Sequence, residues 1–192
     1  MIEQKFHLDP LLVKHTRGYD SICELGAGVF RFFHLYDCQV RIGIELIQAY
    51  IDDRDCKEAI AIQGSIVDFE ALLDKNNIGN LDVIAIIDVI EHLEKPQALE
   101  VITRALGRAS RVLIFTPLGF DDQNGTEHYG FARPALRKKI NDTGAAADAI
   151  EAQRHKSEWW PEDFEAMGFS VIVDKDYHGP GRGAIWAQWD KS

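Results

Sequence analysis

An α/β fold with a mostly parallel sheet is predicted by three features of the sequence: short apolar runs recur, helical stretches separate them, and two of the runs are apolar at every position. Strand and helix patterns in alternation build βαβ units, whose strands lie parallel. A strand covered by helices on both faces also loses the in-and-out alternation of a half-buried one. Val83-Ile-Ala-Ile-Ile87 and Val112-Leu-Ile-Phe115 have this uniform character and are assigned to the centre of the sheet.

Ile22-Cys23, Val40-Arg-Ile-Gly-Ile44 and Ala59-Ile-Ala-Ile62 supply the first three strands, and the two central runs are the fourth and fifth. Between the central runs, Pro96 suits the first turn of a helix. Ala98, Leu99, Ile102, Ala105 and Leu106 then recur at helical spacing, which gives a crossover helix. Another helix opens at Pro161, where Glu162 and Asp163 complement the N-terminal dipole; Trp160, Phe164 and Met167 share a face, and Gly168 stops it. Ser170-Val-Ile-Val173 and Ala184-Ile-Trp-Ala-Gln188 flank a glycine-rich turn and are expected to pair as an antiparallel hairpin. The least regular stretch is 117–158, with Gly119, Gly125, Gly130 and Gly144 among polar residues. A long loop in a compact domain is usually functional or mobile.

With 192 residues, 46% of them apolar and 27% charged, the chain is expected to be one domain, 1–192, that buries a core without disulfide or metal support. Repeats and linker-like segments are absent. Cys23, Cys38 and Cys56 are odd in number and widely spaced, as suits reduced thiols in a cytoplasmic protein. No apolar run is long enough to span a bilayer, and the N-terminus lacks a signal-like pattern, so no membrane association is expected. A net charge of −10 opposes general nucleic-acid binding. Arg133, Arg137, Lys138 and Lys139 form a local basic cluster, a pattern more typical of a solvated helix face than of a site.

Residues of chemical interest gather at the carboxyl ends of the predicted strands, the side on which open α/β sheets bind ligands. Ser21-Ile-Cys-Glu24-Leu-Gly26-Ala27-Gly28 reads as a strand tip carrying an acid, then a Gly-x-Gly turn into a helix. Glycines permit positive φ there and let a ligand approach the backbone. Glu24 either fixes the loop through backbone N–H groups or meets a cationic ligand. Glu45 ends the second strand, roughly twenty residues further on, where nucleoside-binding α/β proteins place an acid on ribose hydroxyls; the alternative is a solvent-facing acid. The third strand ends in Gly64-Ser65-Ile66 and the fourth in Asp88-Val-Ile-Glu91-His92-Leu-Glu-Lys-Pro96.

Taken in order, these segments resemble the cofactor motifs of class I S-adenosylmethionine-dependent methyltransferases over roughly residues 18–117, and Asp-Val-Ile-Glu-His-Leu is similar to the small bacterial members. The resemblance implies a three-layer Rossmann-like fold whose seven strands run 3-2-1-4-5-7-6, the last antiparallel. It implies S-adenosylmethionine as cofactor: Glu24, Gly26, Ala27 and Gly28 in the cofactor loop, Glu45 on the ribose, Ser65 and Ile66 at the adenine, and Asp88 facing the methionine end. The chain departs from the family pattern at Ser65, where an acid is common, and at Phe30, where a third glycine is usual. Phe30 either crowds the methionine moiety or packs beneath the loop. Acidic strand tips favour a sulfonium cation over a pyrophosphate, and Gly-x-Gly without a later glycine at Arg31 departs from the dinucleotide fingerprint. An NAD-dependent oxidoreductase and a non-catalytic binding module are the alternative readings.

Methyl transfer onto a small-molecule acceptor is an in-line displacement that depends on alignment, with a general base needed only for a protonated acceptor. Candidates for that base lie in the irregular segment, expected to act as an acceptor-side lid: Asp121, Asp122, His128, Tyr129 and His155. The stretch from His155 to Phe169 also resembles the segment that borders the acceptor pocket in small bacterial relatives. His92 is expected to pack or hydrogen-bond at a helix start, and Trp159 and Trp160 to anchor the helix that follows them. No metal is expected, because Asp121, Asp122, Glu127 and His128 match no familiar spacing.

Overall fold

In the computed structural model, residues 1–120, 123–126, 130 and 133–191 are described. The strands β1 (Ile2–Glu3), β2 (Ser21–Leu25), β3 (Val40–Glu45), β4 (Ile60–Gln63), β5 (Leu81–Ile87), β6 (Ala109–Pro117), β7 (Ser170–Asp174) and β8 (Ala184–Asp190) form one sheet in the order β1-β7-β8-β6-β5-β2-β3-β4. The seven expected strands are β2 to β8, in the expected order. The short edge strand β1 is additional: it pairs in parallel with β7, Ile2 opposite Ile172. β8 is antiparallel to both neighbours, and every other pairing is parallel.

Two apolar layers cover the sheet. Cys23, Leu25, Ile84, Ile86, Val112 and Ile114 face one layer, where α3 (Phe69–Lys75), α4 (Lys95–Arg108) and α7 (Pro161–Glu165) contribute Phe69, Leu73, Ala98, Val101, Ile102 and Phe164. Ile22, Val83, Ala85, Leu113 and Phe115 face the other, closed by Leu8 and Leu12 of α1 (Leu8–Thr16) with Phe30, Phe33 and Tyr36. Burial on both faces accounts for the uniformly apolar central runs.

Three local expectations change. The stretch 117–158 contains two helices, α5 (Pro134–Asp142) and α6 (Ala146–Ala152). α5 begins at a proline and buries Leu136 and Ile140, one helical turn apart. Trp160 is 47% exposed and does not anchor α7; the anchor is Trp159, fully buried and stacked on Phe164 with ring centroids 5.2 Å apart. The Trp159 indole N–H donates to the Ser157 hydroxyl at 3.0 Å, which satisfies the one polar atom buried with the ring. The third change follows the glycine turn, where residues 29–35 form a run of turns instead of an α-helix. No helix among the described residues is long and apolar enough to cross a membrane.

Candidate functional site

A cavity of about 1190 Å³ opens at the carboxyl ends of the parallel strands. Its first wall is the turn after β2. Gly26 and Ala27 donate their N–H groups to the Ile44 carbonyl at 2.8 and 3.0 Å, tying the turn to β3. Gly26 has φ +77°, and a Cβ there would lie 2.5 Å from a Val89 methyl carbon, so both conformation and space require glycine. Gly28 and Phe30 also take positive φ, 53° and 60°. Phe30 is fully buried, and its ring packs on Phe33 and against Gly43, where a Cβ would come within 2.4 Å of it. Phe30 therefore packs beneath the loop and is not among the cavity's lining residues. The left-handed backbone at Phe30 interrupts helical geometry, which explains the run of turns after Gly28.

Three carboxylates stand at the strand tips. Glu45 is buried rather than solvent-facing, and accepts from Gly28 N at 2.8 Å on one oxygen and from Ile47 N at 2.7 Å on the other. Burial raises its pKa, while those backbone N–H groups oppose the rise. Glu24 is buried and accepts from the Tyr36 hydroxyl at 2.6 Å. Burial pushes its pKa up to about 8 against that hydrogen bond, with the charges of Glu45 and Asp88 adding to the rise. Asp88 takes φ +51° and opens onto the cavity, so its side chain is solvent-accessible there. The protein packed around it nevertheless raises its pKa to about 7 by desolvation, with Arg31 opposing. The Ser65 hydroxyl is engaged locally, accepting from Val67 N at 3.2 Å, and Ile66 is buried beside it. Glu24, Gly26, Ala27, Gly28, Glu45, Ser65, Ile66 and Asp88 all line the one cavity.

The opposite wall comes from α5 and α6. Leu136, Ile140 and Ala149 form a small apolar cluster with Val29, Ile47, Ala49 and Tyr50, the last two in α2 (Gln48–Asp52). Gly130 N donates to the Tyr50 hydroxyl at 2.8 Å. The basic cluster is a paired helix surface: Arg133 meets Asp53 and Asp55 at 3.1 and 2.8 Å, Lys138 meets Asp142, and Lys139 meets Asp52 at 2.8 Å.

Asp121, Asp122, His128 and Tyr129 lie outside the described residues, as does Glu127. His155 lines the cavity, its ring centroid 4.9 Å from that of His92. Lys156 N and Ser157 N both donate to the Glu91 carbonyl, at 2.7 and 3.1 Å, which docks this segment on the end of β5. Glu91 and His92 line the cavity too; His92 lies in a short 3-10 helix (Ile90–His92) after β5, with its Nδ1 3.3 Å from the Arg154 carbonyl. Burial, with the neighbouring His155 second, lowers the His92 pKa to about 4. Glu91 accepts from the Thr116 hydroxyl at 3.0 Å, and burial followed by the charge of Asp88 raises its pKa well above the carboxylate range. The adjacent Glu91-His92 pair at a strand end was visible in the sequence; its meeting with His155 depends on tertiary structure.

No family model and no curated protein sequence matches the chain. Solved structures do. The small RNA methyltransferase HEN1 aligns at 16% identity and TM-score 0.54, covering 98% of this chain and 27% of that one. An O-methyltransferase family protein from Burkholderia thailandensis aligns at 14% identity and TM-score 0.56, covering 96% and 55%. Magnesium protoporphyrin IX methyltransferase from Synechocystis PCC 6803, with bound S-adenosylhomocysteine (SAH), aligns at 13% and TM-score 0.58, covering 96% and 80%. The chain thus spans about a quarter of the first protein and just over half of the second. The likeness establishes a Rossmann-like methyltransferase fold.

Proposed function

We propose that the chain binds S-adenosylmethionine in this cavity and transfers the methyl group to a small acceptor held beside it. The observation that carries this reading is the convergence of eight residues, from the tips of four strands, on one cavity. The donor set fits the cofactor: three carboxylates crowd a site where desolvation disfavours their charge, and a permanent sulfonium cation relieves that cost. Each Glu45 oxygen accepts one backbone N–H and retains a lone pair for a ribose hydroxyl. Ser65 and Ile66 border the adenine, and Asp88 the methionine end. With Phe30 turned away from the cavity, the reason for reading the chain as a non-catalytic module weakens.

When bound, the cofactor supplies an electrophilic methyl group and a neutral thioether leaving group. The chain's own residues align the acceptor and exclude water. A drug-sized ligand fills roughly 300–1000 Å³, and the cavity has room for an acceptor next to the cofactor. The segment 117–158 is proposed as the acceptor-side lid, docked through α5 and α6.

Calorimetry with SAH, S-adenosylmethionine and NAD tests the reading. SAH is expected to bind and NAD to fail. Glu45→Ala, checked for a native melt, is expected to lose about 1.5–3 kcal/mol of SAH affinity, the range for a charged hydrogen-bond acceptor. Wild-type affinity in the folded variant would remove the ribose assignment, and no SAH binding by the wild type would overturn the reading altogether.

A further inference from the structure

At the carboxyl end of β5, Glu91 and His92 meet His155, which precedes the Lys156 and Ser157 N–H groups bonded to the Glu91 carbonyl. One carboxylate oxygen and one ring nitrogen from each histidine lie within 4.8 Å of one another. Metal–ligand bonds of about 2.0–2.2 Å place two ligands of one ion at most about 4.4 Å apart, and about 3.4 Å apart in a tetrahedral site, so these groups need draw in by no more than about 1.4 Å to share a cation. The side chains are also braced from behind. The Thr116 hydroxyl donates to Glu91 at 3.0 Å, the Arg154 carbonyl lies 3.3 Å from Nδ1 of His92, and Lys156 N and Ser157 N hold the Glu91 carbonyl. Such outer contacts orient the ligands of metal sites. Glu91 is 2% exposed, and no lysine or arginine pairs with it among the described residues. The ionised carboxylate thus has no counter-charge from a basic side chain there, and a cation that displaces the proton would supply it.

We propose that Glu91, His92 and His155 bind one divalent cation, and that this cation holds a hydroxyl-bearing methyl acceptor. The acceptor class rests on the methyl-transfer reading; the cation site does not. Three protein ligands leave coordination positions open, and Asp88, Glu91, His92 and His155 line the same cavity, so an open position faces the proposed acceptor space. A bound cation lowers the pKa of a coordinated hydroxyl, which removes the need for a dedicated base. The hydroxyl proton passes to solvent on coordination. The oxygen then forms a bond to the methyl carbon as the carbon–sulfur bond breaks, its electron pair leaving with the neutral thioether. Two imidazoles and one carboxylate suit Mn²⁺, Co²⁺ or Zn²⁺ better than Mg²⁺, which prefers oxygen ligands and retained water.

The test is metal binding to the chelator-treated protein without cofactor, followed by loss of the free Mn²⁺ resonance signal and by calorimetry with Co²⁺ and Zn²⁺. One ion per chain is expected, with His155→Ala binding at least tenfold more weakly while keeping the wild-type melt and SAH affinity within twofold. His92→Ala gives a second reading from the strand side, and the visible bands of bound Co²⁺ should change in either variant. The site is overturned if the wild type takes up none of the three ions at millimolar concentration, or if both folded histidine variants bind as tightly as wild type. If metal binds but SAH does not, the cation site stands and the methyl-transfer reading falls. If chelation leaves methyl transfer undiminished, the acceptor assignment falls.

Discussion

One wall of the cavity is made of strand tips and the other of two short helices, and they are held in different ways. On the strand side, Gly26, Ala27 and Gly28 bond to β3 through Ile44 and Glu45, over parallel strands buried on both faces. On the helical side, α5 and α6 rest on one small apolar cluster, the Gly130–Tyr50 hydrogen bond and exposed ion pairs. Buried parallel strands cannot move singly without breaking a ladder and two cores. A helix pair held by a cluster of seven apolar side chains, three of them its own, is expected to open at a cost below that of global unfolding. On the proposed reading, the strand wall would hold the cofactor in fixed geometry and the helical wall would admit and release the acceptor.

The sharpest way to break this comparison is Gly43→Val, which drives a side chain into the Phe30 ring and the Ala27 methyl group. Overpacking of this kind costs about 1–3 kcal/mol, and SAH binding should fall with stability because the glycine loop rides on that ring. Denaturant midpoints and calorimetry check both; a Gly43→Val protein that melts and binds like wild type would show the strand wall to be pliant.

Ile140→Ala strikes the other wall. The fully buried side chain leaves a cavity, a change that costs about 2–5 kcal/mol in a core that cannot relax. The low end is expected in so small a cluster. Hydrogen exchange should quicken across α5 and α6 while β2 and β5 keep their protection, whereas equal loss in both walls would mean that they unfold together.

A smaller effect concerns protons. With its pKa at about 8, Glu24 holds a proton in the free protein at pH 7, and a bound sulfonium favours the charged form. Binding S-adenosylmethionine should therefore release a fraction of a proton, and neutral SAH less; calorimetry in buffers of different ionisation enthalpy measures both. The same shift has a stability consequence. The folded carboxyl keeps a proton that the unfolded chain has lost, so its contribution to stability is present below pH 4.5 and lost as pH rises towards 8. The smallest change is expected from Arg133→Ala. Its ion pairs are more than a third exposed, and less than about 0.5 kcal/mol should appear in a thermal melt.

The two walls also differ in how far the sequence discloses them. Uniformly apolar runs revealed β5 and β6, and the Gly26-Ala27-Gly28 turn and Glu45 marked strand tips, because local pattern and tertiary role coincide there. α5 was obscured by the polar residues around Leu136 and Ile140, although Pro134 and their one-turn spacing were signals of it. β1 has only two residues, both exposed, and carries no pattern. Adjacent tryptophans take opposite fates because the chain turns between them: Trp159 points into the core, while the Trp160 N–H is taken by Asp163 at the start of α7. The meeting of Glu91 and His92 with His155 follows from where the chain returns to β5, which no local spacing encodes.

Gly26, Gly28 and Phe30 are three alternate residues that share the left-handed region, and only two of them are glycine. For the third, an aromatic ring filling the space above Gly43 offsets a backbone strain of about 1–2 kcal/mol. A signature for this loop written in residue letters reads Phe30 as a mismatch. Written in dihedral angles, Gly26, Gly28 and Phe30 form one unbroken alternation.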